Sequence, residues 1–277
     1  MKTLTNLSNL ISFPRRSGTG LVRNSLLSAF ITIILFSSCK QGGATVEHTA
    51  DDRADSVEIA REDILNSDIL TKDEQARLKP ADVLARMKKG NIDFMKDNLT
   101  VRNTTSRVRK ASLGQYPKAV VLSCLDSRVP VEDIFHSGIG NLFVVRVAGN
   151  IINEDILGSM EYACKVSGAK LVFVLGHEYC GAIKSAIDGF QLGNITALLR
   201  KIQPAVLSSK ASFSGKALSS NPAFVEEVCD ENVKLSIEAI RRRSSVLKEM
   251  ESKGEIMIVG GVYDMNSGKV EIRELGL

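Results

Sequence analysis

The sequence predicts an α/β fold in which a mostly parallel central β-sheet is flanked by helices. Three observations carry that prediction. Four short runs, "KAVVLSC", "NLFVVRV", "AKLVFVLG" and "EIMIVGGVYD", are rich in Val and Ile and bounded by Gly or polar residues. Continuous apolar runs of this kind suit strands covered on both faces. Helical patterns lie between them, and strands alternating with helices imply a parallel sheet wrapped by its own crossovers.

Composition narrows the function classes. A chain of 277 residues, 44% hydrophobic and 25% charged, suits one large domain or two small ones and excludes disorder throughout. The formal charge of +4 resides entirely in Lys2, Arg15, Arg16 and Arg23, because residues 1–38 contain no acid. The remainder is neutral and offers no electrostatic footprint for a polyanion, and a chain without Trp has little base-stacking surface. Nucleic acid is therefore not an expected partner.

Taken in order, the elements begin with a targeting segment. The basic start leads into "LLSAFITIILF" (26–36), too short for a comfortable membrane span, then small residues and Cys39. Residues 1–38 resemble a bacterial lipoprotein signal peptide. That resemblance implies cleavage before Cys39, lipidation of its sulfur, and a periplasmic or cell-envelope protein touching membrane through a lipid anchor only. Arg15 and Arg16 lack the apolar follow-up of a twin-arginine signal. Residues 39–70 are polar and acid-rich and read as a tether.

The folded domain is expected over 71–277. Thr71 with Glu74 forms a capping-box pattern, and Val83, Leu84, Met87, Ile92, Phe94 and Met95 recur at helical spacing. After the second strand run, Asn153 followed by Glu154 and Asp155 opens a helix running to Gly168. Asn221 with Pro222 opens a long one that reaches Gly254, and the Ser- and Gly-rich stretch 210–222 before it reads as a surface loop.

Two strand ends carry chemistry that a core does not want. The first run ends in Cys124, Leu125, Asp126, Ser127, Arg128, and the third ends in "LGHEYCGA" with His177 and Cys180 three apart. Ligands sit at the carboxyl ends of strands in open parallel sheets. Two thiolates, an imidazole and a carboxylate make a tetrahedral donor set suited to one Zn²⁺ per chain. Cys-x-Asp or His-x-x-Cys alone is a weak pattern; both at two strand ends of one sheet are far more specific. Arg128 can draw Asp126 off the metal as a bidentate partner, which would turn a closed structural site into an open catalytic one. Cys164 and Cys229 fall inside predicted helices, where core packing is the expectation and a disulfide the alternative open to an exported protein.

At these residues the sequence resembles the β-class carbonic anhydrases. The likeness covers nearly the whole domain: "GNIDF", "CLDSRVP", "GNLFVVRVAGN", "ILGSMEYA", "VLGHEYCGAIKSA" and "IVGGVYDMNSGKVEI". It implies that Cys124, His177 and Cys180 ligate zinc, and that Asp126 is either a fourth ligand or, paired with Arg128, the group that orients hydroxide. It implies reversible hydration of CO₂ to bicarbonate by a homodimer or homotetramer. Val147 stands where that family usually carries Asn, which puts the local hydrogen bonding in question. Val129 and Phe143 are candidate pocket neighbours, and His136 a candidate proton relay. The alternatives are a related zinc hydrolase of carbon disulfide or carbonyl sulfide, a non-catalytic zinc-stapled binding module in which Asp126 never leaves the metal, and a redox protein.

Overall fold

The computed structural model describes residues 69–98 and 104–273. The signal-like segment, Cys39 and nearly all of the tether lie outside the described residues. The domain opens with α1 (Lys72–Arg77), started by the expected capping box: Thr71 Oγ1 accepts from the Glu74 amide while the Glu74 carboxylate accepts from the Thr71 amide. Helix α2 (Pro80–Met95) has Pro at its first position and buries Val83, Leu84 and Met87, whereas Ile92 and Met95 are exposed. A short α3 (Thr104–Ala111) leads to the sheet.

The four expected strands are β1 (Ala119–Ser123), β2 (Leu142–Arg146), β3 (Leu171–His177) and β4 (Met257–Tyr263). A fifth, β5 (Val270–Arg273), was not anticipated; it pairs antiparallel with β4 after a turn, and the other pairings are parallel. The order is β2-β1-β3-β4-β5. Burial on both faces holds for β1 and β3, but β2 is an edge strand and only half-buried.

Alternation of side chains along β1 and β3 feeds two cores. Val121, Leu171, Phe173 and Leu175 pack against Val83 and Met87 of α2. Val120, Leu122, Val172 and Val174 face the other way, onto α5 (Glu154–Glu161) and the long α9 (Pro222–Arg243). Asn153 caps α5 through the Ile156 amide, as its sequence suggests, and the helix ends in a wider π-type turn over Tyr162–Val166. Between β1 and β2 lies the single turn α4 (Val131–Ile134), and α6 (Gly181–Ile187), α7 (Gly193–Leu199) and α8 (Gln203–Ser212) fill the span from β3 to α9. A third apolar cluster, with Ile183, Ile202, Val206, Phe224 and Val228, closes over the carboxyl ends of the strands.

Two boundaries depart from expectation. The long helix stops at Arg243 and restarts as α10 (Ser245–Ser252), with Ser244 non-helical at φ −110° and ψ 104°. Its hydroxyl caps α10 at the Leu247 amide and donates to Glu161, so a local side-chain bond outcompetes helix continuation. The stretch 210–222 is a loop only from Phe213 to Asn221, since Lys210–Ser212 complete α8.

Candidate metal centre

Strand β1 lies between β2 and β3, so the chain turns one way from β1 to β2 and returns on the other side for β3. The crevice where crossovers diverge in this way is where doubly wound sheets bind ligands. Ser123 ends β1 opposite Leu175, which puts Cys124 and His177 beside one another just past the pairing. Cys180 follows one turn later as the residue that starts α6. Tyr179 takes φ +54° to make that turn, an uncommon conformation for a residue with a side chain, held here by the strand before it and the helix after it.

The donor atoms of Cys124, His177 and Cys180 lie within 4.8 Å of one another, and all three residues are buried. The two sulfurs are 4.0 Å apart. Sulfurs held about 2.3 Å from a tetrahedral zinc lie about 3.8 Å from each other, so the pair fits that metal closely. His177 Nδ1 is 2.8 Å from the Glu178 carbonyl, which only accepts; the proton therefore sits on Nδ1 and Nε2 offers a lone pair. Among the described residues Nε2 is buried with no hydrogen-bond partner. An acceptor left bare in a core is costly unless a cation completes it.

The electrostatics agree. The two buried thiols share a proton: Cys124 is pushed down to about 4, chiefly by the hydrogen bond from Cys180 and further by His177 and the Gly149 amide. Cys180 is raised by the same bond, by burial and by the Cys124 charge. A thiolate–thiol pair poised in this way takes up a soft divalent cation by losing one proton.

The Asp126 carboxylate lies beside this cluster, in the grip of Arg128. Its Oδ1 accepts from the amide and Nε of Arg128, both at 3.0 Å, and its Oδ2 from Nη2 at 2.8 Å. The fork and the amide hold its carboxyl well below the usual carboxylate range, with the His177 ring a smaller contributor. Oδ2 remains 4.0 Å from His177 Nε2.

Several supporting groups were not read from the sequence. Arg146, at the end of β2, donates from Nε to the Cys124 carbonyl at 2.9 Å and from Nη2 to the Asp126 carbonyl, gripping the loop on both sides of Leu125. Gly149 has φ +67°, and a Cβ there would lie 2.6 Å from Ile202 Cδ1; this backbone turns its amide onto Cys124 Sγ at 3.3 Å. Cys229 is buried and unpaired like Cys164, so neither forms the alternative disulfide, yet its thiol donates to the His177 carbonyl at 3.4 Å. These contacts act through backbone atoms and leave no spacing signal; only the proximity of "RVAGN" to β2's end hinted at them.

Two subsidiary expectations are corrected. His136 borders a cavity with Lys118, the residue before β1, at the opposite end of the strands from Cys124, so it is no relay for this centre. Phe143 pairs beside Val120 in mid-sheet and lines a groove with Tyr162, away from the cluster. Val129 is fully buried in the core under α2. Val147, in place of the expected Asn, packs against two apolar clusters, and the loop it begins is tied instead from α9, where Asn232 Nδ2 donates to the Gly149 carbonyl at 3.0 Å.

Fold and site together define a metal-dependent α/β enzyme with a Cys₂His centre at the sheet's switch point. A family model described as carbonic anhydrase matches residues 119–270. Carbonic anhydrase 2 of Mycobacterium tuberculosis is 34% identical over 166 residues, covering 58% of this chain and 76% of that one. Among solved structures, the β-carbonic anhydrase CcaA aligns with a TM-score of 0.55 at 24% identity, over 68% of this chain and 94% of that one. Tetrameric β-carbonic anhydrases of Sordaria macrospora align with a TM-score of 0.56 at 21% identity, over 64% and 90%. The chain belongs to the carbonic anhydrase family, in its β class. Its reaction is the reversible hydration of CO₂ to bicarbonate, and its metal is zinc, for which Cys124, His177 and Cys180 provide a fitting donor set.

Proposed function

We propose that Cys124, His177 and Cys180 are the zinc ligands of this chain and that Asp126, held aside by Arg128, orients the attacking water. One observation carries the reading. The Asp126 carboxylate takes three hydrogen bonds from Arg128, while His177 Nε2, 4.0 Å away, has none. When bound, Zn²⁺ supplies the Lewis acidity that lets a water lose its proton near neutral pH, at about 7 in open sites. Asp126, whose carboxyl Arg128 holds well below the usual range, would accept a hydrogen bond from the attacking water and orient it toward the carbon of CO₂. Arg128, forked onto both oxygens, would keep the carboxylate available for this task and out of the ligand set. Arg146 holds the loop that carries both Cys124 and Asp126 at one separation.

Replacing Arg128 with Ala tests the assignment. Zinc content should stay near one per chain while CO₂ hydration falls about 10²-fold or more, because the carboxylate is then free to take the fourth position. A Cys180→Ser control should lose metal and activity together. Normal turnover in Arg128→Ala would end the proposed division of labour.

The reading extends to location and assembly: a lipid-anchored enzyme of a bacterial periplasm or cell envelope, working as a homodimer or homotetramer. Support for the anchor lies in the order of basic start, short apolar core, small residues and Cys39. Among the described residues no helix is long and apolar enough to cross a membrane. Support for self-association lies in β2, an edge strand whose Leu142, Phe143, Val144 and Val145 are only half-buried, and in the tetrameric state described for the Sordaria macrospora enzymes.

A further inference from the structure

The amino ends of the strands carry a second group of charged side chains. Lys118 precedes β1 and is turned inward, with 9% of its surface exposed. Among the described residues its ammonium has no hydrogen bond and no ion pair. It borders a cavity of about 70 Å³ whose other walls are Arg86, Lys89, Gly90 and Asp93 of α2 and Phe135 and His136 after α4. The one carboxylate there is occupied: Asp93 accepts from Lys89 Nζ at 2.9 Å and from Asn98 Nδ2 at 3.3 Å. Burial, and after it the guanidinium groups of Arg86 and Arg107, push the Lys118 amine down to about 8.

Cores ordinarily offset a buried ammonium with a carboxylate or carbonyl oxygen. Here, among the described residues, the neighbours are further cations, the already paired Asp93 and an open space. We infer that this cavity is a binding site for one small inorganic oxyanion, of the charge and size of phosphate or sulfate, held by Lys118 and Arg86. The volume sets the class of ligand. Organic ligands occupy pockets of roughly 300–1,000 Å³, whereas this one replaces about two waters at roughly 30 Å³ each. The wall is fixed: a Cβ on Gly90 would lie 2.3 Å from the Phe135 carbonyl oxygen, so α2 meets this turn with no slack. The site is separate from the metal centre, since Lys118 precedes Cys124 by six residues, about 20 Å along an extended strand. An anion bound only by the folded state would stabilise the domain without touching catalysis.

The test uses the zinc-loaded full chain titrated with inorganic phosphate at constant ionic strength, chloride making up the balance. Calorimetric affinity, Tm and CO₂ hydration are read in the natural protein, Lys118→Met and Arg86→Gln. Phosphate should raise the Tm of the natural protein, and each substitution should weaken binding at least about tenfold, the loss of one charge-assisted hydrogen bond. Turnover should be unchanged in both variants. In phosphate-free buffer Lys118→Met should have the higher Tm, because an uncompensated buried charge is gone. Equal phosphate affinity in all three proteins, no phosphate binding by the natural one, or binding that appears only as loss of activity at the metal would overturn the inference. Arg86 is exposed on α2, so Arg86→Gln decides the matter even if Lys118→Met fails to fold.

Discussion

Cys124 and Cys180 show how a residue pair prepares itself for a metal. The proton between their sulfurs, the amide of Gly149 and the lone pair of His177 Nε2 make a donor set that one soft divalent cation would complete. The chemistry of these residues was legible in the sequence because each half of the donor set is local: Cys-x-Asp-x-Arg on one strand end, His-x-x-Cys on the other. Arg146 was not legible, because it works through carbonyl oxygens that every residue possesses. Its two bonds to the Cys124 and Asp126 carbonyls predict a strong effect all the same. Arg146→Met should lower kcat about tenfold or more with zinc retained, since both active-site groups then move relative to each other. Stopped-flow hydration with parallel metal analysis checks this, and Arg146→Lys, which can satisfy one carbonyl, should recover part of the loss. Kinetics indistinguishable from the natural protein would show that the loop holds itself.

At the scale of elements, Val- and Ile-rich runs announced β1 to β4 because buried strands leave a dense apolar trace. Strand β5 escaped because "VEIR" is a four-residue alternating edge that takes its identity from β4. The break between α9 and α10 escaped for a different reason. Nothing in "RRRSSVLKEM" forbids a helix; the bend exists because Ser244 meets Glu161 at 2.6 Å and Arg241 forks onto Glu251 at 2.9 Å, contacts that only the fold creates. Ser244→Ala should therefore cost about 1–2 kcal/mol, the loss of one cap and one buried bond, with CO₂ hydration unaffected. Urea denaturation measures the cost; a midpoint shift near zero would mean that helix packing alone sets the bend.

Viewed whole, the molecule places its chemistry at the carboxyl ends of β1 and β3 and leaves the opposite end to other charges. That placement was legible from the position of the motifs at the ends of two apolar runs; the strand order and the sheet's two edges were not. The segment before residue 69 falls outside the described residues, and its proposed role is tested separately. Cys39→Ala should abolish incorporation of labelled lipid and leave zinc content intact, while retention of the first residues in a cytosolic protein would refute export. One feature of the domain also constrains how it is made. All five residues proposed for the metal site are complete by Cys180, yet β3 rests on β4 through seven paired residues from Leu171 to His177, and Asn91 of α2 bonds to Gly268 and Val270 at 2.8 Å each. A chain emerging from its N-terminus thus presents every ligand well before the elements that hold them exist. Zinc capture must be the last event of folding rather than its nucleus: a chain ended at residue 254 should hold all the ligands and retain no tightly bound metal, and tight zinc in that fragment would show that the centre assembles without its sheet.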